Sequence, residues 1–496
     1  MRERVIENHP RIAIVGAGIS GICMAIRLLR DGFDNITIFE KGDDFGGTWR
    51  ENKYPGLVCD VPSRFFQFTF AKNAEWSRLY SARDEILNYL NGVARADGVD
   101  KYTRFRTEVA AATYDHNAWR VTTTDGTTED FDFLVCATGF LHHPLTPDLP
   151  GLANFRGQVF HSARWDRNVQ VAGKRVGVVG TGSTGTQLTT ALAGVAEHVT
   201  VFQRTAQWIL PTKNRSYSLA AKTAYRLLPG LGTLSYRLYQ RIFALFSLGL
   251  VRPGVVRRVI GWTCARYLRT VRDPELRAKL TPDYPPMCKR LVISDGFYRA
   301  IQRPDIDLVT AGIEQVEPAA IKTKDGVQHE LDVLIFATGF DAHAYMRPIA
   351  ITGTDGLTLD QAWNNGPRAF QGLMMPSFPN LFMMMGPHSP LGNHPVTATA
   401  EVLSERILWW LRRWSAGEFK TVQPTEAATQ RYNDGLREAL DGTVWVGGCR
   451  SWYLGADGSP DLWPSSPDRF EVMVQRDPNP DDFHLDHKVV GPVETS

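Results

Sequence analysis

Between Glu197 and Asp273 this chain has no Asp or Glu at all. Over its 496 residues the charges nonetheless almost cancel, to a formal net of +2. A balance this close to neutral argues against a general nucleic-acid binder and confines any electrostatic role to a local patch. Cysteine is scarce: Cys23, Cys59, Cys136, Cys264, Cys288 and Cys449 are scattered, with no C-x-x-C pair and no zinc spacing. No metal site is expected, and a reducing cytoplasm is the expected setting. Long apolar runs are missing as well. IFALFSLGLV, at 242–251, is well short of the ~20 residues a membrane-spanning helix needs. MRERVIENHP leads directly into the strand-like RIAIVGAG, with no apolar signal-peptide core between them. The expectation is a cytoplasmic globular protein of more than one domain, since 43% hydrophobic and 22% charged residues are ordinary proportions.

What the chain does have is a glycine-rich unit, twice. RIAIVGAGISG ends an apolar, strand-like run in Gly16-x-Gly18-x-x-Gly21, and the helix-compatible ICMAIRLLRDG follows. Glycines there allow a sharp turn and close approach to a pyrophosphate, whose charge sits on the free N–H groups of the helix start. A second strand, NITIFEK, ends in Glu40, placed to accept hydrogen bonds from an adenosine ribose. The pattern recurs as KRVGVVGTGSTGTQ, with Gly180, Gly182 and Gly185, followed by VTVFQR. There Gln203 stands where the first unit has its acid, with Arg204 and Thr205 beside it. A carboxylate repels a ribose 2′-phosphate, whereas a guanidinium and a hydroxyl bind one, so the second site reads as NADP. Arg204 could otherwise be a solvated residue at a strand end.

Two further segments are nearly identical, LVCATGF at 134–140 and LIFATGF at 334–340. Each is expected to be a buried strand turning at Gly139 or Gly339 close to a cofactor. The fold class is therefore α/β, with two Rossmann-like dinucleotide-binding domains. FAD in the first and NADPH in the second is the economical assignment: one holds the flavin and the other delivers hydride.

Two long motifs carry a resemblance. FRGQVFHSARWD contains Phe155, Gly157, His161, Trp165 and Asp166 in the pattern F-x-G-x-x-x-H-x-x-x-W-[PD]. Gly46, Gly47, Trp49, Tyr54, Pro55, Gly56 and Asp60 fit G-G-x-W-x(4)-[FY]-P-[GM]-x(3)-D. With these the chain resembles the class B flavoprotein monooxygenases and, within them, the type I Baeyer-Villiger monooxygenases, from residue 11 to about residue 455. The resemblance implies an enzyme that uses NADPH and O2 to form a C4a-peroxyflavin, which attacks an apolar ketone and yields an ester or lactone. It implies that Arg290 stabilises the developing oxyanion and that Asp60 orients Arg290. FAD contacts are implied for Gly16, Gly18, Ser20, Gly21, Glu40, Gly47, Thr48, Trp49 and Asp60. NADP contacts are implied for Gly180, Thr181, Gly182, Ser183, Thr184, Gly185, Arg204, Thr205 and Lys289. Trp452 resembles a tryptophan lining the nicotinamide and substrate side, and the 155–166 stretch becomes a domain-docking connector. Without the motifs, Arg290 reads as a phosphate contact and Asp60 as a turn or capping residue.

The expected division is a flavin domain from 1–147 and 341–496, an NADP domain from 148–207 and 288–340, and a helical insertion at 208–287. Within the insertion, the 213–272 stretch interleaves arginines with Leu, Phe, Tyr and Trp at helical spacing. That stretch is either a solvated face, a partner for the acidic tail at Asp477, Asp481, Asp482 and Asp486, or a surface for anionic lipid. The polar, Pro-rich end of the chain, from about residue 476, is expected to be loosely ordered. The nearest alternative function is a flavin monooxygenase of sulfides or amines, which the Arg290 and Asp60 pair disfavours. A flavin-binding sensor without turnover leaves the two motifs without a purpose.

Overall fold

The computed structural model describes residues 8–166, 168–390, 392, 394–449, 451, 453–455 and 458–486. Its framework is two parallel five-stranded sheets built to one plan. In the first, the strands run in the order Leu381–Met383, Phe133–Cys136, Ile12–Val15, Ile36–Glu40, Thr103–Phe105. In the second, the order is Gln158–His161, Val333–Phe336, Arg175–Val179, His198–Phe202, Ile306–Val309. Ile12–Val15 and Phe133–Cys136 are buried at every position, which is why they read as unbroken apolar runs rather than alternating ones. In both sheets the strand leading into the glycines lies centrally. It is flanked by the strand ending in Glu40 or Phe202 on one side and by the Ala-Thr-Gly strand on the other.

Each unit also carries an antiparallel meander immediately before its Ala-Thr-Gly strand: 109–131 in the first, 313–330 in the second. The tight turns match. Thr123 donates its hydroxyl to Asp125 at 2.6 Å, and Thr323 donates to Asp325 at 2.6 Å. The repeated T-x-D-G at 123–126 and 323–326 was a legible sign of the duplication.

Four helices, Leu219–Leu227, Pro229–Val251, Val255–Leu268 and Pro274–Lys279, form the excursion between the halves of the second unit. The long helix Val396–Ser415 covers the first unit and packs against Ile19–Arg30, where Arg27 and Glu401 pair at 2.8 Å.

Three expectations are corrected here. The FRGQVFHSARWD stretch, expected to be a loop-like domain-docking connector, contains a strand: Gln158–His161 is the edge strand of the second sheet, in register with Val333–Phe336. The chain end is ordered through Asp486, because Phe483–Asp486 pairs antiparallel with Thr421–Pro424. Two of its acids also engage the body of the protein and not the basic insertion: Asp482 is bridged to Arg431 at 2.7 Å and Asp486 accepts from Thr421 at 3.1 Å. Finally, Cys288 and Cys449, 161 residues apart in sequence, are joined in a disulfide. Scattered spacing concealed a spatial pair, and the inference of a reducing compartment from that spacing loses its ground.

Candidate active site

The two glycine turns open onto one cavity of about 1270 Å³ that runs between the sheets. At the first turn Gly16 has φ +104°, and a Cβ on Gly21 would lie 1.9 Å from the Gly16 carbonyl oxygen. At the second, Gly180 has φ +110°, and a Cβ on Gly185 would lie 1.9 Å from the Gly180 oxygen. Only glycine fits either contact. The helices that follow, Ile19–Arg30 and Ser183–Leu192, begin at Gly18 and Gly182 with no side-chain cap and no acid in the first turn. Their free N–H groups are therefore available as donors to an anion at the cavity, with Ser20, Thr181, Ser183 and Thr184 in its wall. These cradles fit two dinucleotides.

The strand ends differ as the sequence indicated. Glu40 is buried, accepting from the N–H of Ala17 at 2.8 Å and of Gly42 at 2.7 Å, with Arg50 at 3.3 Å. It thus braces the glycine turn from behind while lining the cavity. In the second unit Gln203 donates to the Lys279 carbonyl at 2.7 Å. Arg204 is exposed, Thr205 accepts from Thr181 through its carbonyl at 3.1 Å, and Lys289 lies 4.6 Å over the Tyr284 ring. Burial, and then the neighbouring Arg204 cation, hold the Lys289 ammonium below its ordinary pKa, against the pull of Asp283. Arg204, Thr205 and Lys289 all line the cavity.

The second long motif threads from the first unit to the second. Gly47 lies against Gly18, with its virtual Cβ 3.0 Å from the Gly18 Cα, and Thr48 opens a short helix to Glu51. Trp49 packs on Phe66 at 5.6 Å. Tyr54 then donates to Gln187 at 2.9 Å on the helix of the second unit, and Gln187 returns a bond to the Val58 carbonyl at 3.0 Å. Burial pushes the Tyr54 phenol up to about 12, so it stays a donor. The motif ends at Asp60, which takes Arg290 in a two-pronged grip: Nε to Oδ2 at 2.7 Å and Nη2 to Oδ1 at 2.8 Å.

In that pair burial alone would raise the Asp60 carboxyl, but the Arg290 guanidinium outweighs it and holds the pKa below the ordinary carboxylate value. Asp60 in turn raises Arg290 further above its already high value, against burial, and the Tyr453 hydroxyl adds a hydrogen bond. Arg290 is therefore a fixed cation at any working pH, facing the same cavity as both glycine turns.

The other fingerprint residues lie on the far edge of the second sheet. Phe155 is buried among Phe202, Leu334 and Phe336. A Cβ on Gly157 would lie 2.3 Å from the Asp332 oxygen. His161 is buried, accepts from the Ala163 N–H at 3.1 Å and meets the Phe340 ring edge-on at 5.7 Å. Burial holds its imidazole below the ordinary pKa. Trp165 packs on Phe160 at 5.1 Å, and Asp166 makes a local turn with the Asn168 N–H at 2.9 Å. Trp452 lies outside the described residues. Sequence reasoning missed Tyr453, although it stands next to Trp452, and missed Tyr54 as a tether, although the motif contains it.

Known proteins share this arrangement. The family model described as FMO-like, flavin-binding monooxygenase-like, matches residues 9–347. An uncharacterised monooxygenase of Mycobacterium tuberculosis is 52% identical over 465 residues, 94% of this chain and 94% of that protein. A Baeyer-Villiger monooxygenase of Streptomyces coelicolor is 36% identical across 95% of this chain and 92% of its own. The crystal structure of OTEMO in complex with FAD and NADP superposes with a TM-score of 0.86 at 29% identity, covering 96% of this chain and all of that one. This chain belongs to the flavin-binding monooxygenase-like family, and within it to the Baeyer-Villiger monooxygenases.

Proposed function

We propose that this flavin-dependent monooxygenase uses NADPH and O2 to insert one oxygen atom beside a ketone carbonyl, giving an ester or lactone. The observation that carries the reading is the Arg290 and Asp60 pair, with N–O distances of 2.7 and 2.8 Å, at the wall shared by both cradles. FAD belongs to the first cradle, held by Gly16, Gly18, Ser20, Gly21 and Glu40 with Gly47, Thr48, Trp49 and Asp60. NADP belongs to the second, held by Gly180 through Gly185, with Arg204, Thr205 and Lys289 around a 2′-phosphate. Residues 1–147 and 341–496 make the flavin domain, 148–207 and 288–340 the NADP domain, and 208–287 the helical insertion.

Reduced flavin supplies the activated oxygen; the chain's own residues decide what that oxygen does. Negative charge develops on oxygen both before and after attack on a carbonyl. A preorganised cation there is worth about 3–4 kcal/mol, by analogy with the loss of one oxyanion donor. Arg290 suits this because it cannot donate its proton and quench the nucleophile. Asp60, as a positioning residue, fixes the guanidinium plane so that no reorganisation accompanies the charge. A monooxygenase of sulfides or amines needs a protonated, electrophilic oxygen, which a fixed cation in the cavity wall disfavours.

His161 is a docking residue in this reading. Its contact with Phe340, directly after Ala337-Thr338-Gly339, couples the edge strand to the turn beside the NADP cradle. The test of function is product analysis by mass spectrometry. Flavin-loaded enzyme receives NADPH, O2 and a panel of linear, cyclic and aryl ketones plus an aryl methyl sulfide. Esters or lactones support the reading, whereas sulfoxide alone overturns it.

A further inference from the structure

The helical excursion presents an outward face that nothing among the described residues covers. On the helix Pro229–Val251, Leu234, Leu238, Ile242, Leu245 and Leu248 recur every three or four residues and are 47–65% exposed. The opposite side of the same helix packs inward: Tyr236, Tyr239 and Phe243 meet Phe65 at 5.0 to 6.2 Å, and Phe65 lies five residues beyond Asp60. The helix therefore has two apolar faces, one belonging to the core and one with no partner. Arg237, Arg241 and Arg252 share the exposed side. Along the next helix, Val255–Leu268, the pattern repeats: Val255, Val259 and Trp262 are exposed, with Trp262 at 61%, and Arg258, Arg266 and Arg269 stand beside them. Arg266 lies over the Trp262 ring at 5.7 Å. Arg226 pairs with Glu75, but among the described residues no carboxylate pairs with Arg237, Arg241, Arg252, Arg258 or Arg269.

We infer that this face is a docking surface for an anionic lipid bilayer. Leucines and a tryptophan insert into the headgroup and acyl boundary, and the arginines lay their stems along that apolar surface while their heads reach the lipid phosphates. A second copy of the chain fits the same face poorly. Closing it across a twofold axis would set arginines against arginines, with no Asp or Glu between Glu197 and Asp273 to relieve them. A nucleic acid would satisfy the arginines but leave the leucine row against phosphates. Among the described residues no helix is long and apolar enough to cross a membrane, so the contact is one that lies on the bilayer. The surface stands independently of the ketone reading. If both hold, the inner face of the same helix carries the contact toward the segment after Asp60, and membrane-partitioned lipophilic ketones are the natural substrates.

Sedimentation with vesicles tests this on the full-length protein. Vesicles of phosphatidylcholine containing phosphatidylglycerol should bind at least about tenfold more protein than phosphatidylcholine alone, with the difference reduced by high salt. The triple variant Leu238→Glu, Ile242→Glu, Leu245→Glu should lose that binding while NADPH still reduces its flavin at the unaltered rate. Arg237→Gln with Arg241→Gln should weaken binding without touching the apolar row, which keeps the test valid if the triple variant fails to fold. Equal binding to both vesicle types, or none to either, overturns the inference. So does a dimer in sedimentation velocity that the triple variant dissociates.

Discussion

The two nucleotide units differ most where they are otherwise most alike. Both sheets place the glycine strand at the centre, both flank it with an Ala-Thr-Gly strand, and both complete that side with an outer strand brought from elsewhere. In the first unit the outer strand is Leu381–Met383, which arrives from near the far end of the chain. In the second it is Gln158–His161, which arrives from just before the unit begins. The family fingerprint is thus the second sheet's version of a structural position that both sheets must fill. The first sheet fills it with Leu381–Met383, and the second with a strand whose His161 meets the Phe340 ring. Common architecture explains why each cradle suits a dinucleotide; in the proposed reading the substitutions on it decide which one. Glu40 against Arg204 is the clearest of these.

The largest effect should come from removing the residue that one unit extends to the other. Arg290→Ala should lower ester or lactone formation roughly 10²–10³-fold. Both cradles stay intact, so NADPH consumption should continue and release hydrogen peroxide. Comparing product yield with NADPH oxidation checks this, and a proportional fall in both would assign Arg290 to hydride delivery instead. Next come the equivalent glycines. A methyl group at Gly21 or Gly185 would lie 1.9 Å from a carbonyl oxygen, so each turn must distort, at a cost of about 1–3 kcal/mol. Gly21→Ala should purify with depleted flavin. Gly185→Ala should keep its flavin and show a KM for NADPH raised about 10- to 100-fold. Identical phenotypes would refute the division of labour.

A smaller effect distinguishes the strand ends. Arg204→Ala should raise the KM for NADPH about tenfold, as loss of a charge-assisted hydrogen bond implies, and leave that for NADH unchanged. Steady-state kinetics with both nucleotides decide it. A parallel loss with NADH would mean that Arg204 supports the fold and not the 2′-phosphate.

Much of this comparison was legible in the sequence because parallel strands buried on both faces leave continuous apolar runs, and because glycine alone tolerates the two turns. Gly16, Gly21, Gly180 and Gly185 each announce a backbone constraint that no other residue meets. Contacts made across long sequence separation left no such mark. The disulfide between Cys288 and Cys449 and the tether from Tyr54 to Gln187 depend on how two units pack, and the register of Gln158–His161 beside Val333–Phe336 on how one unit closes over a long sequence separation, none of which local periodicity encodes. FRGQVFHSARWD looked like a connector because its strand is short and lies at an edge, where polar and apolar residues mix. The unusual chain end misled for a similar reason. Proline and aspartate suggest disorder, but Phe483–Asp486 gains a partner strand only once Thr421–Pro424 is in place.

The tie between the units contributes to stability as well as chemistry. Asp60 in the folded protein has a pKa below the ordinary carboxylate value because Arg290 favours its charged form more than burial opposes it. A depressed folded pKa means that the unfolded chain binds the proton more readily. The pair's stabilisation is therefore complete above the unfolded value, about 3.9, and is lost as pH falls from there through the folded pKa. Asp60→Asn removes that dependence. At neutral pH the variant should be less stable by about 1–3 kcal/mol, since the guanidinium keeps a hydrogen-bonding amide but loses its counter-charge. As pH falls through the folded pKa the two proteins should converge, because the parent's advantage is titrated away. Thermal midpoints measured across that range, with flavin content monitored, check the prediction. A gap between parent and variant that does not narrow with acid would mean that Asp60 stabilises the junction by packing alone, and the two units would then be joined by Tyr54 and Gln187 more than by charge.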